Sequence, residues 1–194
     1  MHVAGGGILT GPQILKMMKK GCIKIDPFNP DHVGPNSVDL HLGDDLFTYG
    51  GFDDLHDLRV GLGLNSKPRP LDPKDLPPLV MVPKTNDGRW LLSPGRLYLG
   101  STKEWTKTDS FVPVIDGRSS LGRLGVFAHI TAGRGDDGFE GRWTVEIAVI
   151  EPVILEPGGR YFQITYHSTV GERRPYRGRY QGDDRPMGSK ISEP

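Results

Sequence analysis

Between residues 142 and 150, large apolar side chains alternate with small or polar ones. Trp143, Val145, Ile147 and Val149 fall on one face and Thr144, Glu146 and Ala148 on the other. A two-residue period predicts a β-strand with the first set turned into a core. The same alternation over 126–132 sets Val126, Ala128, Ile130 and Ala132 against Phe127, His129 and Thr131, and predicts a partner strand. Over 37–43 it turns Val38, Leu40 and Leu42 inward and leaves His41 in solvent. Shorter apolar runs at 22–25, 79–82, 90–92, 96–103, 111–115, 153–155 and 161–167 also suit strands. Turn signals at Ser93-Pro94-Gly95 and Pro157-Gly158-Gly159 predict that 90–92 pairs with 96–103, and 153–155 with 161–167, as hairpins. Helical spacing is confined to 10–21, with Thr10 as cap, Pro12 in the first turn, Ile14, Leu15 and Met18 as the apolar face, and Gly21 as the stop.

These patterns predict an all-β domain with a short N-terminal helix, spanning 1–194 as one unit. The 27 glycines and 17 prolines punctuate the short strands rather than forming a low-complexity tract. Residues 50–88, rich in proline and aspartate, form an insertion at the edge of the domain, suited to a subunit contact. From Glu172 the chain turns polar and basic, and its composition alone reads as a disordered tail.

The 24 basic residues balance the 24 acidic ones, which argues against a nucleic-acid partner, since such proteins carry a basic excess. A single cysteine, Cys22, leaves no internal disulfide framework and suits a reducing compartment. No apolar run approaches the roughly 18 residues of a membrane span, and 1–7 lacks a signal-peptide core. A cytoplasmic protein without a membrane partner is expected.

Candidate chemistry is concentrated in 117–146. Gly117-Arg118-Ser119-Ser120-Leu121-Gly122-Arg123 offers two hydroxyls, backbone N–H groups and two guanidiniums, which suits an anion. It lacks the spacing of a P-loop. Residues 133–141 form a glycine-rich turn from which Arg134 and Asp136 project. Glu146 has small neighbours on its face, leaving room for a ligand above the sheet. On residue type alone it is either a solvated surface acid or a general base, a role that contributes roughly 10²–10⁴-fold to a rate.

The order GRSSLGRLG, HITAG, D-D-G-F-E-G and T-V-E resembles the dCTP deaminase branch of the dCTP deaminase/dUTPase superfamily. The opening ILTGPQI and IDPFNPDHVGPNSVDLHLG, then LSPGRLYLG, Pro157-Gly158 with Gln163, and Arg179-Tyr180-Gln181-Gly182 extend the likeness over most of the chain. The resemblance implies a distorted jelly-roll-like β-barrel of the dUTPase type. It implies a homotrimer with sites between subunits and a deoxycytidine or deoxyuridine nucleotide as ligand. Glu146 would activate water for attack on cytosine C4, while Ser119, Arg123 and the Ala132 backbone hold that water and the base edge. Arg118, Ser120 and Arg134 would face the phosphates, Asp136 the deoxyribose 3′-hydroxyl, and Gln163 the nucleotide. Tyr176 and Arg179 would close over the triphosphate from a mobile lid at 172–194, which should make few contacts without nucleotide. Mg²⁺ would enter on the phosphates, with no dedicated protein ligands.

The pattern is not followed everywhere. Val149 stands where the family commonly has Asn, Gly135 and Asp137 stand where Ile or Pro flank the turn Asp, and Asp183 replaces a neutral residue. Zinc-dependent nucleobase deaminases need H-x-E with P-C-x-x-C, which one cysteine does not supply. The expected activity is therefore metal-free deamination of dCTP to dUTP and ammonia. Alternatives are a bifunctional enzyme that also cleaves the triphosphate to dUMP and pyrophosphate, a plain dUTPase, and a non-catalytic nucleotide-binding trimer.

Overall fold

The computed structural model describes residues 6–50 and 70–193. Helix α1 (Gly11–Lys19) is followed by β1 (Ile23–Asp26), a 3-10 turn (Pro30–His32) and the long strand β2 (Val38–Tyr49). Next come β3 (Leu79–Met81), β4 (Trp90–Leu92), β5 (Tyr98–Thr102), β6 (Trp105–Thr108) and β7 (Phe111–Gly117). A four-residue helix α2 (Ser119–Gly122) leads to β8 (Val126–Ala128), β9 (Glu140–Gly141), β10 (Thr144–Val149), β11 (Val153–Leu155) and β12 (Arg160–Ser168).

The main sheet runs β7-β12-β2-β5-β10-β8, with β3 paired to the far end of β2. Its two edges approach one another. Gly117 at the end of β7 faces Ala128 of β8 so closely that a Cβ on it would lie 3.0 Å from the alanine methyl. Beyond β8 the chain crosses to β7: Ile115 N–H donates to the Gly133 carbonyl (2.7 Å) and Gly135 N–H to the Pro113 carbonyl (2.9 Å). The sheet thus forms a nearly closed barrel, and 133–135 lie along its seam. Leu40, Leu42, Leu46, Ile115, Val145, Ile147, Phe162 and Ile164 fill the interior, none more than 1% exposed. Each such side chain contributes on the order of 1.5–3 kcal/mol by leaving water.

The inward and outward faces of β2 and β10 follow the alternation in the sequence, but several pairings do not. β4 pairs with β11, whereas β5 lies between β2 and β10, so 90–103 is not a hairpin. Likewise β12 pairs with β2 and β7 rather than with β11. Both turns mark a change of sheet, and a turn signal fixes where the chain bends without choosing the partner. The partner strand expected over 126–132 stops at Ala128, because His129 takes a left-handed backbone (φ 70°) and turns the chain towards β7.

His41 is not solvated. The turn after β5 folds back over β2, placing Glu104 Oε1 2.5 Å from His41 Nδ1, while Glu104 itself is only 3% exposed. In α1 the buried side chains are Ile14 and Met17, and Thr10 makes no side-chain cap bond. Gly21 does end the helix in the left-handed region (φ 75°). Within the 50–88 insertion, residues 51–69 lie outside the described residues, and 79–81 supply β3. Among the described residues no helix is long and apolar enough to cross a membrane.

Candidate active site

Closure of the barrel carries β10, the segment after β8 and the seam 133–136 to one place, and a cavity of about 410 Å³ opens between them. Thr144 and Glu146 reach it from the outward face of β10, His129 and Ala132 from the turn after β8, and Arg134 and Asp136 from the seam. Phe139 and Trp143 supply an aromatic wall. Tyr176, Tyr180, Asp183 and Met187 come from the C-terminal segment.

Glu146 is partly shielded, with 30% of its side chain exposed, and His129 is nearly enclosed at 4%. Antiparallel pairing of β8 with β10 matches Ala128 with Ile147 and Phe127 with Ala148. Continued by one residue, this register sets His129 opposite Glu146, and the His129 N–H donates to the Glu146 carbonyl (2.7 Å). The imidazole Nδ1 lies 2.8 Å from Glu146 Oε2. The ring N–H is not aimed along that line, so the contact lacks hydrogen-bond geometry and becomes an ion pair when the imidazole is protonated. Burial is the largest influence on the His129 pKa and pulls it down. The Glu146 carboxylate, with smaller help from the Ala132 backbone and Asp116, outweighs it and raises the net value above the ordinary 6.5. His129 was not among the residues expected from sequence, although the strand register could have found it.

The C-terminal segment is not a loosely held tail. Arg173 grips Asp137 with two N–H groups, Nε to Oδ2 at 2.7 Å and Nη2 to Oδ1 at 2.9 Å, and also pairs with Asp109. Tyr176 N–H donates to the Asp137 carbonyl (2.7 Å) and Gly182 N–H to that of Glu140 (2.8 Å). Farther on, Met187 N–H donates to Thr144 Oγ1 (3.0 Å) and Ser189 N–H to the Tyr49 hydroxyl (2.8 Å). Where few contacts were expected, the segment is stitched along 137–144 and over the cavity. The unexpected acids Asp137 and Asp183 serve this stitching, since Lys190 pairs with Asp183 at 3.0 Å.

Of the residues expected from sequence, Glu146, Ala132, Arg134, Asp136 and Tyr176 line this cavity. Arg118, Ser119, Ser120, Arg123, Gln163 and Arg179 do not. Ser119, Ser120 and Arg123 are exposed on or beside α2, and Arg118 points to Asp39 and the Arg160 carbonyl. Gln163 lies mid-strand in β12 between Asp39 of β2 and Asp116 of β7. Arg179 donates to the Lys190 carbonyl. One chain therefore gathers five of the eleven expected residues at the cavity. The Ser/Arg loop stands on another part of its surface.

The barrel, its seam and the acid-lined cavity define a protein of the dUTPase-type fold. The crystal structure of 2′-deoxycytidine 5′-triphosphate deaminase from Agrobacterium tumefaciens shares this fold, with a TM-score of 0.58 and 19% identity over 84% of this chain and 49% of that one. The present chain thus spans about half of that solved chain. The family model described as dCTP deaminase-like matches residues 8–169. A protein of Leptospira biflexa named dCTP deaminase, dUMP-forming, is 43% identical over 177 residues, 91% of each chain. One of the same name from Clostridium botulinum is 39% identical, covering 91% of this chain and 92% of its own. The chain belongs to the dCTP deaminase-like family.

Proposed function

We propose that this protein is a bifunctional dCTP deaminase, converting dCTP and two waters to dUMP, pyrophosphate and ammonia. The observation that carries the proposal is Glu146, held against His129 on the floor of a cavity that also receives Arg134 and Asp136. The relatives named above as dUMP-forming favour this bifunctional alternative over one that stops at dUTP.

Glu146 takes the proton of a water that attacks cytosine C4, giving a tetrahedral centre from which the amino group leaves as ammonia. A base contributes by being fixed where the proton is released. His129 fixes it, since its nearly buried ring cannot move away from the carboxylate. Asp136, on the seam, serves the second hydrolysis: it orients a water at the α-phosphorus, whose bond to the bridging oxygen breaks to release pyrophosphate. Arg134 beside it meets phosphate charge.

Ser119 and Arg123 act across a subunit boundary, in a homotrimer whose members lend this loop to one another's cavities. What supports this is their exposure, together with the exposed apolar side chains Leu124, Phe127, Ile130 and Ile150 around them. Apolar groups clustered on a surface mark a contact face.

Among the described residues no group of three metal-ligating side chains occurs. A hard ion would be carried in by the phosphates, with no dedicated protein ligands. Mg²⁺ would neutralise phosphate charge when bound.

Incubation with dCTP and Mg²⁺, with ammonia, pyrophosphate and nucleotide products quantified, tests the proposal. Equal yields of ammonia, pyrophosphate and dUMP are expected. Ammonia with dUTP would restrict it to deamination. Pyrophosphate from dUTP without ammonia from dCTP would make it a dUTPase. Nucleotide binding without turnover would make it a non-catalytic binder.

A further inference from the structure

We propose that Trp143, seated on the bare backbone of Gly135, is a positioning residue that holds the base side and the sugar side of the cavity in register. This rests on the deaminase reading of Glu146. Trp143 begins as an inward residue at the foot of β10 and is 7% exposed. It is pinned at two points: its N–H donates to Thr102 Oγ1 (3.0 Å) and its indole Nε1–H to Thr106 Oγ1 (2.9 Å). With both bonds made, the ring has no freedom to swing.

One end of that ring lies over Gly135. A Cβ at position 135 would sit 2.3 Å from Cη2 and 3.1 Å from Cζ2 of the indole, and 3.1 Å from Pro113 Cγ. No side chain fits there unless the tryptophan yields. Gly135 separates Arg134 from Asp136, and its own N–H is tied to β7 through the Pro113 carbonyl (2.9 Å). The indole therefore sets how closely the backbone carrying those two residues packs on the barrel.

The indole also stands edge-on to His129, with ring centres 6.5 Å apart and planes at 87°. Perpendicular aromatic pairs hold a preferred geometry, so Trp143 limits the orientation of the imidazole that contacts Glu146. Phe139, 5.0 Å from Trp143 and 6.1 Å from Tyr176, continues the aromatic wall to the C-terminal segment. One side chain thus touches the residue that holds the base and the backbone that presents Arg134 and Asp136. The glycine at 135 and the tryptophan at 143 form an interlocking pair, in which each makes room for the other.

Interlocking predicts a particular non-additivity. Phenylalanine lacks the outer indole atoms that a Cβ at 135 would strike. Gly135→Ala alone should lower kcat/KM for ammonia release by about tenfold or more, as overpacking displaces the ring. Trp143→Phe alone should lower it by about two- to fivefold. Gly135→Ala in the Trp143→Phe background should then cost less than about twofold further, so that the double variant outperforms Gly135→Ala alone. The second readout is the titration of the His129 imidazole by NMR in the nucleotide-free protein. Its midpoint should shift in Gly135→Ala and return towards the Trp143→Phe value in the double variant.

Multiplicative losses in the double variant, or an imidazole midpoint identical in all four proteins, would overturn the interlock. Should the unaltered protein release no ammonia from dCTP, the deaminase reading fails. The imidazole titration then decides the inference alone. Melting temperatures identify any variant that has lost its fold, and Gly135→Ser, which meets the same indole, replaces Gly135→Ala in that case.

Discussion

Arg173 holds the nearly buried carboxylate of Asp137 in a two-pronged grip, one residue past the cavity-lining Asp136 and 36 positions back along the chain. Asp137 also accepts from the Ser110 N–H (2.7 Å), and its carbonyl accepts from Tyr176. The pair therefore joins the seam of the barrel to the start of the segment that covers the cavity. Arg173 is about one-third exposed, 37%, against 8% for Asp137, so the value of the pair falls between that of surface and buried ion pairs.

Arg173→Ala is expected to cost about 1–3 kcal/mol and to release the covering segment. Hydrogen exchange over 174–190 should accelerate, and the KM for nucleotide should rise more than kcat falls. Unchanged exchange would show that the later bonds at Thr144 and Tyr49 suffice to hold the segment.

Tyr166 lies at 0% exposure, and its hydroxyl has no hydrogen-bond partner among the described residues. Burial pushes its pKa up, out of any physiological range. An unpaired buried hydroxyl carries a desolvation cost without compensation. Tyr166→Phe is expected to leave stability unchanged or raise it by up to about 1 kcal/mol, measured by denaturant unfolding. A loss of more than about 2 kcal/mol would reveal a partner for the hydroxyl.

Protonation of His129 is linked to folding. Its folded pKa is raised above 6.5 because the nearby Glu146 charge outweighs the opposing effect of burial. A raised pKa contributes stability that is complete below the unfolded value and is lost as pH rises through the folded one. Asparagine tolerates the left-handed backbone at this position, so His129→Asn removes the ring with little backbone strain. The stability difference between the unaltered protein and His129→Asn should be larger at about pH 5.5 than at about pH 9. A difference independent of pH would mean that folding does not shift the imidazole pKa, and one smaller at about pH 5.5 than at about pH 9 would mean that the folded imidazole stays neutral.

Asp136→Asn separates the two hydrolyses. Pyrophosphate release is expected to fall by about two orders of magnitude or more, while ammonia release continues with a raised KM and dUTP accumulates. Parallel loss of both products would place Asp136 in the deamination step.

The outward acid on β10 and the turn bearing Arg134 and Asp136 were legible because each belongs to a short stretch with a strong local pattern. Alternation fixed the faces of β2 and β10 for the same reason. Strand partners were not legible: β4, β5, β11 and β12 flank ordinary turns, yet pair with strands remote in sequence. His129 was missed because its pairing with Glu146 appears only once the register of β8 on β10 is known. The hold on the C-terminal segment was missed because Arg173 and Asp137 are 36 residues apart, and nothing in a single sequence pairs two such charges. The separation of Ser119 and Arg123 from the cavity was legible only through the family resemblance, since no local pattern tells which part of the surface a short loop will occupy.

The most direct test of the account is ammonia release from dCTP by Glu146→Gln, measured beside nucleotide binding to the same protein. Glutamine keeps the shape and cannot take a proton from water. Binding within about threefold of the unaltered protein and ammonia release lower by about two orders of magnitude or more are the expected results. Full activity in that variant would contradict the assignment of Glu146 as the base.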